Sequence, residues 1–184
     1  MDQFETRSVT GLQVDGRTVS GLAIPYGKPS QVLSPGFIET IARGAAGEGI
    51  RTRKNIRALL EHDPSQPLAK TPKLKLTETD EGVRYQFSLP LTSAGNDALE
   101  LIKDGTIQGA SFRFSTPEDG DEWTRSGGTV HRTIKKMEIS EISLVSDPAY
   151  LDTTASVRSY SAFIEGEQGR DAETIKRIIA TFEW

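Results

Sequence analysis

The stretch "MEISEISLV", residues 137–145, alternates apolar and polar residues as a β-strand does. Successive side chains of a strand point to opposite faces, so one side is expected to carry the odd-numbered residues: Met137, Ile139, Glu141, Ser143 and Val145. Glu141 is then a carboxylate in a largely apolar row, and a buried carboxylate needs a partner such as an imidazole or an arginine. A structural salt bridge, or an edge strand that faces water, would explain the same pattern.

Two other short stretches that read as strands carry polar residues that are candidates for a catalytic site. In "NIRALLEH", residues 55–62, an extended backbone puts His62 on the face of Ile56, Ala58 and Leu60. In "GASFRFS", residues 109–115, three polar residues lie opposite an aromatic face: Ser111, Arg113 and Ser115. A lone histidine on an apolar face is more often structural, and most serines so placed are solvated, so neither pattern alone indicates catalysis.

Further patterns predict the rest of the fold. Residues 6–25 and 73–91 read as pairs of strands, and residues 93–106 as a helix with Ser93 or Asn96 as its cap. Residues 34–49 also read as a helix, whereas residues 116–129 read as a loop that projects into solvent. Short strands with few helices indicate a β-rich α+β domain, with a closed barrel wrapped by helices as one arrangement. Periodicity alone does not separate a barrel from a sandwich.

Composition excludes several classes of function. The 184 residues fit one soluble domain, and the start lacks the pattern of a secretory signal, which predicts a protein that stays in the cell. The absence of cysteine excludes disulfides, thiolate metal sites and a cysteine nucleophile. A net charge of -4 argues against broad nucleic-acid binding. The basic cluster at 51–57 reads as a solvated loop or as a docking surface for an acidic partner.

Cofactor and metal signatures are missing as well. The sequence has no G-x-G-x-x-G and no Walker loop, so no cofactor is expected. Its two histidines, His62 and His131, are far apart and lack the spacing of metal ligands, which makes a metal-dependent hydrolase a poor fit.

Several blocks together resemble the prohead, or capsid maturation, proteases of tailed phages, whose fold is similar to that of the herpesvirus assembly proteases. The blocks are "GLAIPYG" at 21–27, "SPGFIETIARGA" at 34–45, "LLEHDPSQPLAKT" at 59–71, "LTSAGNDALELIKDGTIQGASFRF" at 91–114 and "RTIKKMEISEISLVSDPAYLDT" at 132–153. The resemblance implies a herpesvirus-protease-like closed β-barrel surrounded by a few helices. It also implies a serine endopeptidase in which His62 is the general base, Ser111 the nucleophile and Glu141 the residue that orients the imidazole.

By the same resemblance, the substrates are the scaffolding protein or scaffolding segments of the major capsid protein, together with the protease itself. The enzyme would act inside the prohead in the host cytoplasm and would self-associate, with no membrane and no nucleic acid as partners. The alternative is a non-catalytic scaffold or capsid-binding module that keeps the protease fold.

Two points of the resemblance stay open. The herpesvirus relatives use a second histidine, so His131 competes with Glu141 for the third role, whereas Asp63 points away from its neighbour His62 in a strand. Arg113 and Ala69 stand where the family tends to have glycine. Arg113 is therefore expected to alter the substrate groove, to place a positive charge near the oxyanion, or to mark lost activity.

The predicted organisation has three parts. Residues 1–158 form the prohead protease domain, and residues 159–170 form a polar linker that is a candidate self-cleavage region. Residues 171–184 form a C-terminal helix with an apolar stripe.

Overall fold

This computed structural model describes residues 4–147 and 154–180, which contain twelve strands and three helices. The first six strands are β1 (Glu5–Thr10), β2 (Gln13–Asp15), β3 (Thr18–Pro25), β4 (Phe37–Ile41), β5 (Arg57–Leu60) and β6 (Asp63–Lys70). The other six are β7 (Lys75–Thr79), β8 (Gly82–Ser88), β9 (Gly109–Ser115), β10 (Asp121–Ser126), β11 (Thr129–Ile134) and β12 (Glu138–Val145). The helices are α1 (Gly47–Thr52), α2 (Ser93–Lys103) and α3 (Thr154–Ala180).

The described strands form three open sheets. The largest has the order β1-β9-β12-β5-β6, in which β12 pairs antiparallel with β9 and parallel with β5. The others have the orders β2-β3-β8-β7 and β10-β11-β4. The expected β-rich fold with few helices is confirmed, but the described strands do not close into a barrel. The edge strand β6 contains Pro64 and Pro67, and proline, which has no N–H to donate, is typical of edge strands.

One main core lies between the five-stranded and four-stranded sheets and α2. It contains the aromatic face of β9, with Phe112 and Phe114, as expected from the alternation of that strand. Leu99 and Ile102 of α2 face the same core, also as expected. The cap of α2 differs from the prediction: Thr92, one residue earlier than Ser93, accepts a hydrogen bond from the Gly95 N–H at 3.3 Å.

Two predicted elements are wrong. Most of the stretch at 34–49 is not a helix, because Phe37, Glu39 and Ile41 are buried in alternation along strand β4, and α1 begins only at Gly47. The expected loop at 116–129 contains β10, which forms a hairpin with β11. Trp123 anchors this hairpin, since its ring lies 5.0 Å from that of Phe37.

The polar segment at 159–170 is helical and not an open linker, because α3 runs through it without a break. Tyr160, Phe163 and Ile164 pack against a small second core of Leu33, Phe37 and Val130, and this contact accounts for the helix despite its polar composition. The division of the chain at residue 158 stays a prediction. Residues 181–184 of the predicted last helix, and the apolar stripe of that helix, lie outside what the structure describes.

Candidate active site

Strand β12 carries two of the candidate polar groups, and a β-bulge sets their direction. Ile139 pairs with Phe114, but Glu141 pairs with Arg113, so Ser140 is an extra residue in the ladder. The bulge turns the side chain of Ile139 toward the aromatic core. Glu141 and Ser143 point to the opposite face of the sheet. The expectation that Ile139 and Glu141 share one face is therefore wrong. A hydrogen bond from Ser140 Oγ to the Arg113 carbonyl, at 3.0 Å, holds the bulge.

Glu141, Ser143 and Ser111 lie together on the face of the sheet opposite Phe112. Glu141 and Ser143 are two residues apart on β12, and Ser143 is the register partner of Ser111 on β9. All three are buried, with Ser143 Oγ donating to Glu141 Oε1 at 3.1 Å.

His62 reaches this face from a turn and not from a strand. Strand β5 ends at Leu60, and both Glu61 and His62 have left-handed backbone, with φ of 50° and 58°. The strand alternation that put His62 beside Leu60 therefore does not apply. The turn is tied to β12 and the residue after it, because the Glu61 N–H donates to the Leu144 carbonyl at 2.9 Å and Glu61 Oε1 accepts from the Ser146 N–H at 2.7 Å.

The imidazole and the carboxylate form a short hydrogen bond, with 2.5 Å between His62 Nδ1 and Glu141 Oε1. Burial raises the pKa of Glu141, but the hydrogen bond from His62 and the charge of Arg113 outweigh burial and hold this pKa below its ordinary value. An ionised carboxylate only accepts, so Nδ1 carries the proton, and in the neutral form of the ring Nε2 has the free lone pair. Among the described residues, the buried Nε2 has no hydrogen-bond partner.

The model of the caudovirus prohead serine protease family matches residues 2–165. The chain belongs to this family. A solved structure, the capsid assembly protease gp21 of bacteriophage T4, aligns with 78% of this chain and 99% of that chain, at a TM-score of 0.52 and 13% identity. At that identity the likeness concerns the fold alone. No curated protein matches the chain. The resemblance read from the sequence motifs is thereby confirmed, and the chain stands among the capsid maturation proteases of tailed phages.

In this prohead protease family member, Ser111 lies on the strand next to that of Glu141, the carboxylate that contacts His62. The residue is 1% exposed, and its Oγ donates to the Arg7 carbonyl on β1 at 3.0 Å. The Ser111 hydroxyl is therefore bonded to a neighbouring strand and not to the imidazole of His62.

The two competitors for the third role lie elsewhere. His131 is on β11 in the three-stranded sheet, where its register partners are Ile38 and Thr124. Asp63 follows His62 directly, but its carboxylate accepts hydrogen bonds from the backbone and hydroxyl of Ser65, at 2.8 and 2.7 Å. The geometry therefore favours Glu141 as the partner of His62.

Sequence reasoning missed a buried charge network behind the serine. Arg132 Nη1 lies 2.6 Å from Glu5 Oε2 and 3.0 Å from Glu39 Oε2, and Arg132 Nε lies 2.6 Å from Asp121 Oδ2. Arg7 also pairs with Glu39, at 2.9 Å. The network fixes Arg7, whose carbonyl holds the Ser111 hydroxyl. Its one visible signal in the sequence is charge at Glu5 and Arg7, inside a stretch that otherwise reads as a strand.

Residues 4–147 and 154–180 contain no cluster of three or more His, Asp or Glu side chains arranged to hold a metal ion. Within the same ranges, no helix combines the length and the apolar content that crossing a membrane requires.

Proposed function

We propose that this chain is an active serine endopeptidase in which Ser111 is the nucleophile, His62 the general base and Glu141 the residue that orients the imidazole. The observation that carries the proposal is the 2.5 Å hydrogen bond between His62 Nδ1 and Glu141 Oε1, which leaves Nε2 unpartnered next to a buried serine face. This is the acceptor that a serine peptidase needs for the hydroxyl proton.

The reaction follows from these positions. Nε2 takes the proton of the Ser111 hydroxyl as Oγ attacks the scissile carbonyl, and Glu141 stabilises the imidazolium that forms. His62 then returns the proton to the leaving amine, which leaves an acyl-enzyme. In the second half, His62 takes a proton from the attacking water and returns it to the Ser111 oxygen as the acyl group leaves. A base placed in this way contributes about 10²- to 10⁴-fold to the rate.

Activation requires that the hydroxyl leave the Arg7 carbonyl and that the groups covering Ser111 open to a substrate. We infer that the enzyme is closed until it meets its substrates inside the prohead, in the host cytoplasm. Those substrates are the scaffolding protein or the scaffolding segment of the major capsid protein. Membership of the prohead protease family supports this assignment.

Self-cleavage has a candidate site in α3. Gly166 and Gly169 lie inside this helix, and each glycine weakens a helix interior by about 1 kcal/mol relative to alanine. The stretch 165–170 can therefore unwind at a lower cost than the packed turn around Phe163, and an extended chain is what a peptidase cleft accepts.

A second function is favoured by one observation: the Ser111 hydroxyl is bound to Arg7 and not to His62. A protein that kept this state permanently would be a non-catalytic scaffold or capsid-binding module.

Co-expression with the capsid protein of the same operon separates the two functions. Wild type is expected to shorten the capsid protein or itself, as read by intact mass, whereas Ser111→Ala leaves every mass unchanged because the nucleophile is gone. Ser88→Ala is the matched control, since Ser88 is an exposed serine on β8 in another sheet. Identical masses for wild type and Ser111→Ala, with shells assembled, would favour the non-catalytic module.

A further inference from the structure

Glu141 lies in one row of the sheet with an arginine on each side. Its register partner on β9 is Arg113, and its register partner on β5 is Arg57. Register partners on neighbouring strands extend from the same face, so both side chains can reach the carboxylate. The sequence placed Arg113 near Ser111 but indicated Arg57 only as part of the basic cluster at 51–57.

The two oxygens of Glu141 have different partners. Oε1 meets His62 Nδ1 at 2.5 Å and Ser143 Oγ at 3.1 Å. Oε2 lies 3.5 Å from Arg113 Nη1 and 3.8 Å from Arg57 Nη2. The carboxylate is 1% exposed, whereas the side chains of Arg113 and Arg57 are 34% and 46% exposed. The arginines thus shield the buried charge from the solvent side of the site.

The two arginines restrict the rotation of the Glu141 carboxylate, which the imidazole alone does not do. The terminal torsion of a glutamate is broad and roughly two-fold, so an unrestrained carboxylate can exchange its two oxygens. Cations beside Oε2 favour the orientation that leaves Oε1 facing Nδ1. After the hydrogen bond from His62, the charge of Arg113 is the next contribution that lowers the pKa of Glu141 against burial, which favours the ionised carboxylate.

We propose that Arg113 and Arg57 are positioning residues that act through Glu141 to hold the imidazole of His62 in the orientation that activates Ser111. Arg113 therefore neither provides an oxyanion donor nor marks lost activity. Strand β9 then serves the site twice, because it supplies the nucleophile at Ser111 and a guanidinium two residues later. The kinetic part of this inference rests on the proposed function, but the orientation of His62 can be measured without any activity.

The test compares Arg113→Gln, Arg57→Gln and the double variant with Arg53→Gln. Arg53 is the matched control. Its side chain is 36% exposed, and those of Arg113 and Arg57 are also partly exposed. It lies 3.6 Å from another carboxylate of β12, that of Glu138, which precedes the bulge. Arg113→Lys tests rescue, since lysine keeps the charge and loses the planar fork.

The first readout is the ring N–H resonance of His62 in protein labelled with ¹⁵N-histidine. The chain has two histidines, so the variant His131→Gln assigns the spectrum. Wild type is expected to show a far-downfield Nδ1 proton. Arg113→Gln moves it upfield, the double variant removes it through exchange with water, and Arg53→Gln leaves it in place. Backbone amide dispersion in the same samples reports whether each variant is folded.

The second readout is the rate at which a fluorophosphonate probe labels Ser111 in the presence of the capsid protein, because Ser111 is covered in the closed enzyme. The rate is expected to fall roughly tenfold in Arg113→Gln, as happens when residues that orient a functional side chain are removed. A folded double variant that keeps both the resonance and the labelling rate of wild type would refute the positioning role. If wild type is inert to the probe and to capsid protein while the resonance still responds to the arginines, the positioning role stands and the proposed peptidase function fails.

Discussion

At the scale of single residues, Glu141 is stable as a buried carboxylate because each of its oxygens has its own donors. His62 and Ser143 serve one oxygen, and the two arginines approach the other. A carboxylate without such partners would be protonated or would unfold the sheet around it.

The lowered pKa of Glu141 predicts how stability depends on pH. The folded-state pKa lies below 4.5, the unfolded value, so the ionised carboxylate stabilises the fold above pH 4.5 and this contribution is lost as the pH falls through the folded-state pKa. The free energy of unfolding of wild type is therefore expected to exceed that of Glu141→Gln most at neutral pH, with a difference that shrinks in acid. Urea denaturation at several pH values measures this, and a difference that grows in acid would contradict the assignment.

At the scale of elements, the turn after β5 carries strain next to the candidate base. Left-handed backbone costs a residue with a Cβ roughly 1 kcal/mol or more, and here Glu61 and His62 adopt it in succession. The hydrogen bond from the Ser146 N–H to Glu61 Oε1 holds the turn against this cost.

Two substitutions at Glu61 separate the strain from the hydrogen bond. Both Glu61→Ala and Glu61→Gly lose the acceptor for Ser146, but only glycine relieves the left-handed backbone. Glu61→Ala is therefore expected to be less stable than Glu61→Gly by about 1 kcal/mol in urea unfolding. Equal stabilities would mean that the turn does not hold this conformation in solution.

At the scale of the whole molecule, buried charges join the sheets. Arg132 on β11 contacts Glu5 on β1, Glu39 on β4 and Asp121 on β10. Burial lowers the pKa of Arg132, but the hydrogen bond and charge of Glu5 and the charges of Glu39 and Asp121 outweigh burial, and the net pKa is raised. The network therefore connects the five-stranded sheet, which carries the site, to the three-stranded sheet, on which α3 packs.

Removing the centre of the network should destabilise the fold strongly. Arg132→Ala leaves the buried carboxylates of Glu5 and Glu39 and the partly buried one of Asp121 without their shared cation, and breaking such a group costs about 3 to 5 kcal/mol. Lys135→Ala is the control, since its 2.7 Å pair with Glu122 is half-exposed and such pairs contribute at most about 1 kcal/mol. The free energy of unfolding measures both variants, and equal losses would show that the network adds nothing.

Local features of the fold could be predicted from the amino-acid sequence. Alternation located the strands of the site, and His62, Ser111 and Glu141 stood out by residue type and by family motif, because these signals lie within a few neighbouring residues. The same local reading failed for β4, for β10 and for the polar part of α3, where packing against Phe37 and Trp123 decides the structure.

The contacts between the candidate residues, in contrast, depend on how distant parts of the chain pack. His62 and Glu141 are 79 residues apart, and Arg132 and Glu5 are 127 residues apart, so no local pattern reports their contacts. One extra residue at Ser140 reverses the face of Ile139 relative to Glu141, and such a bulge depends on the partner strand β9. The roles of Arg57 and Arg113 follow from the same register, because which side chains share a face is fixed when strands pair.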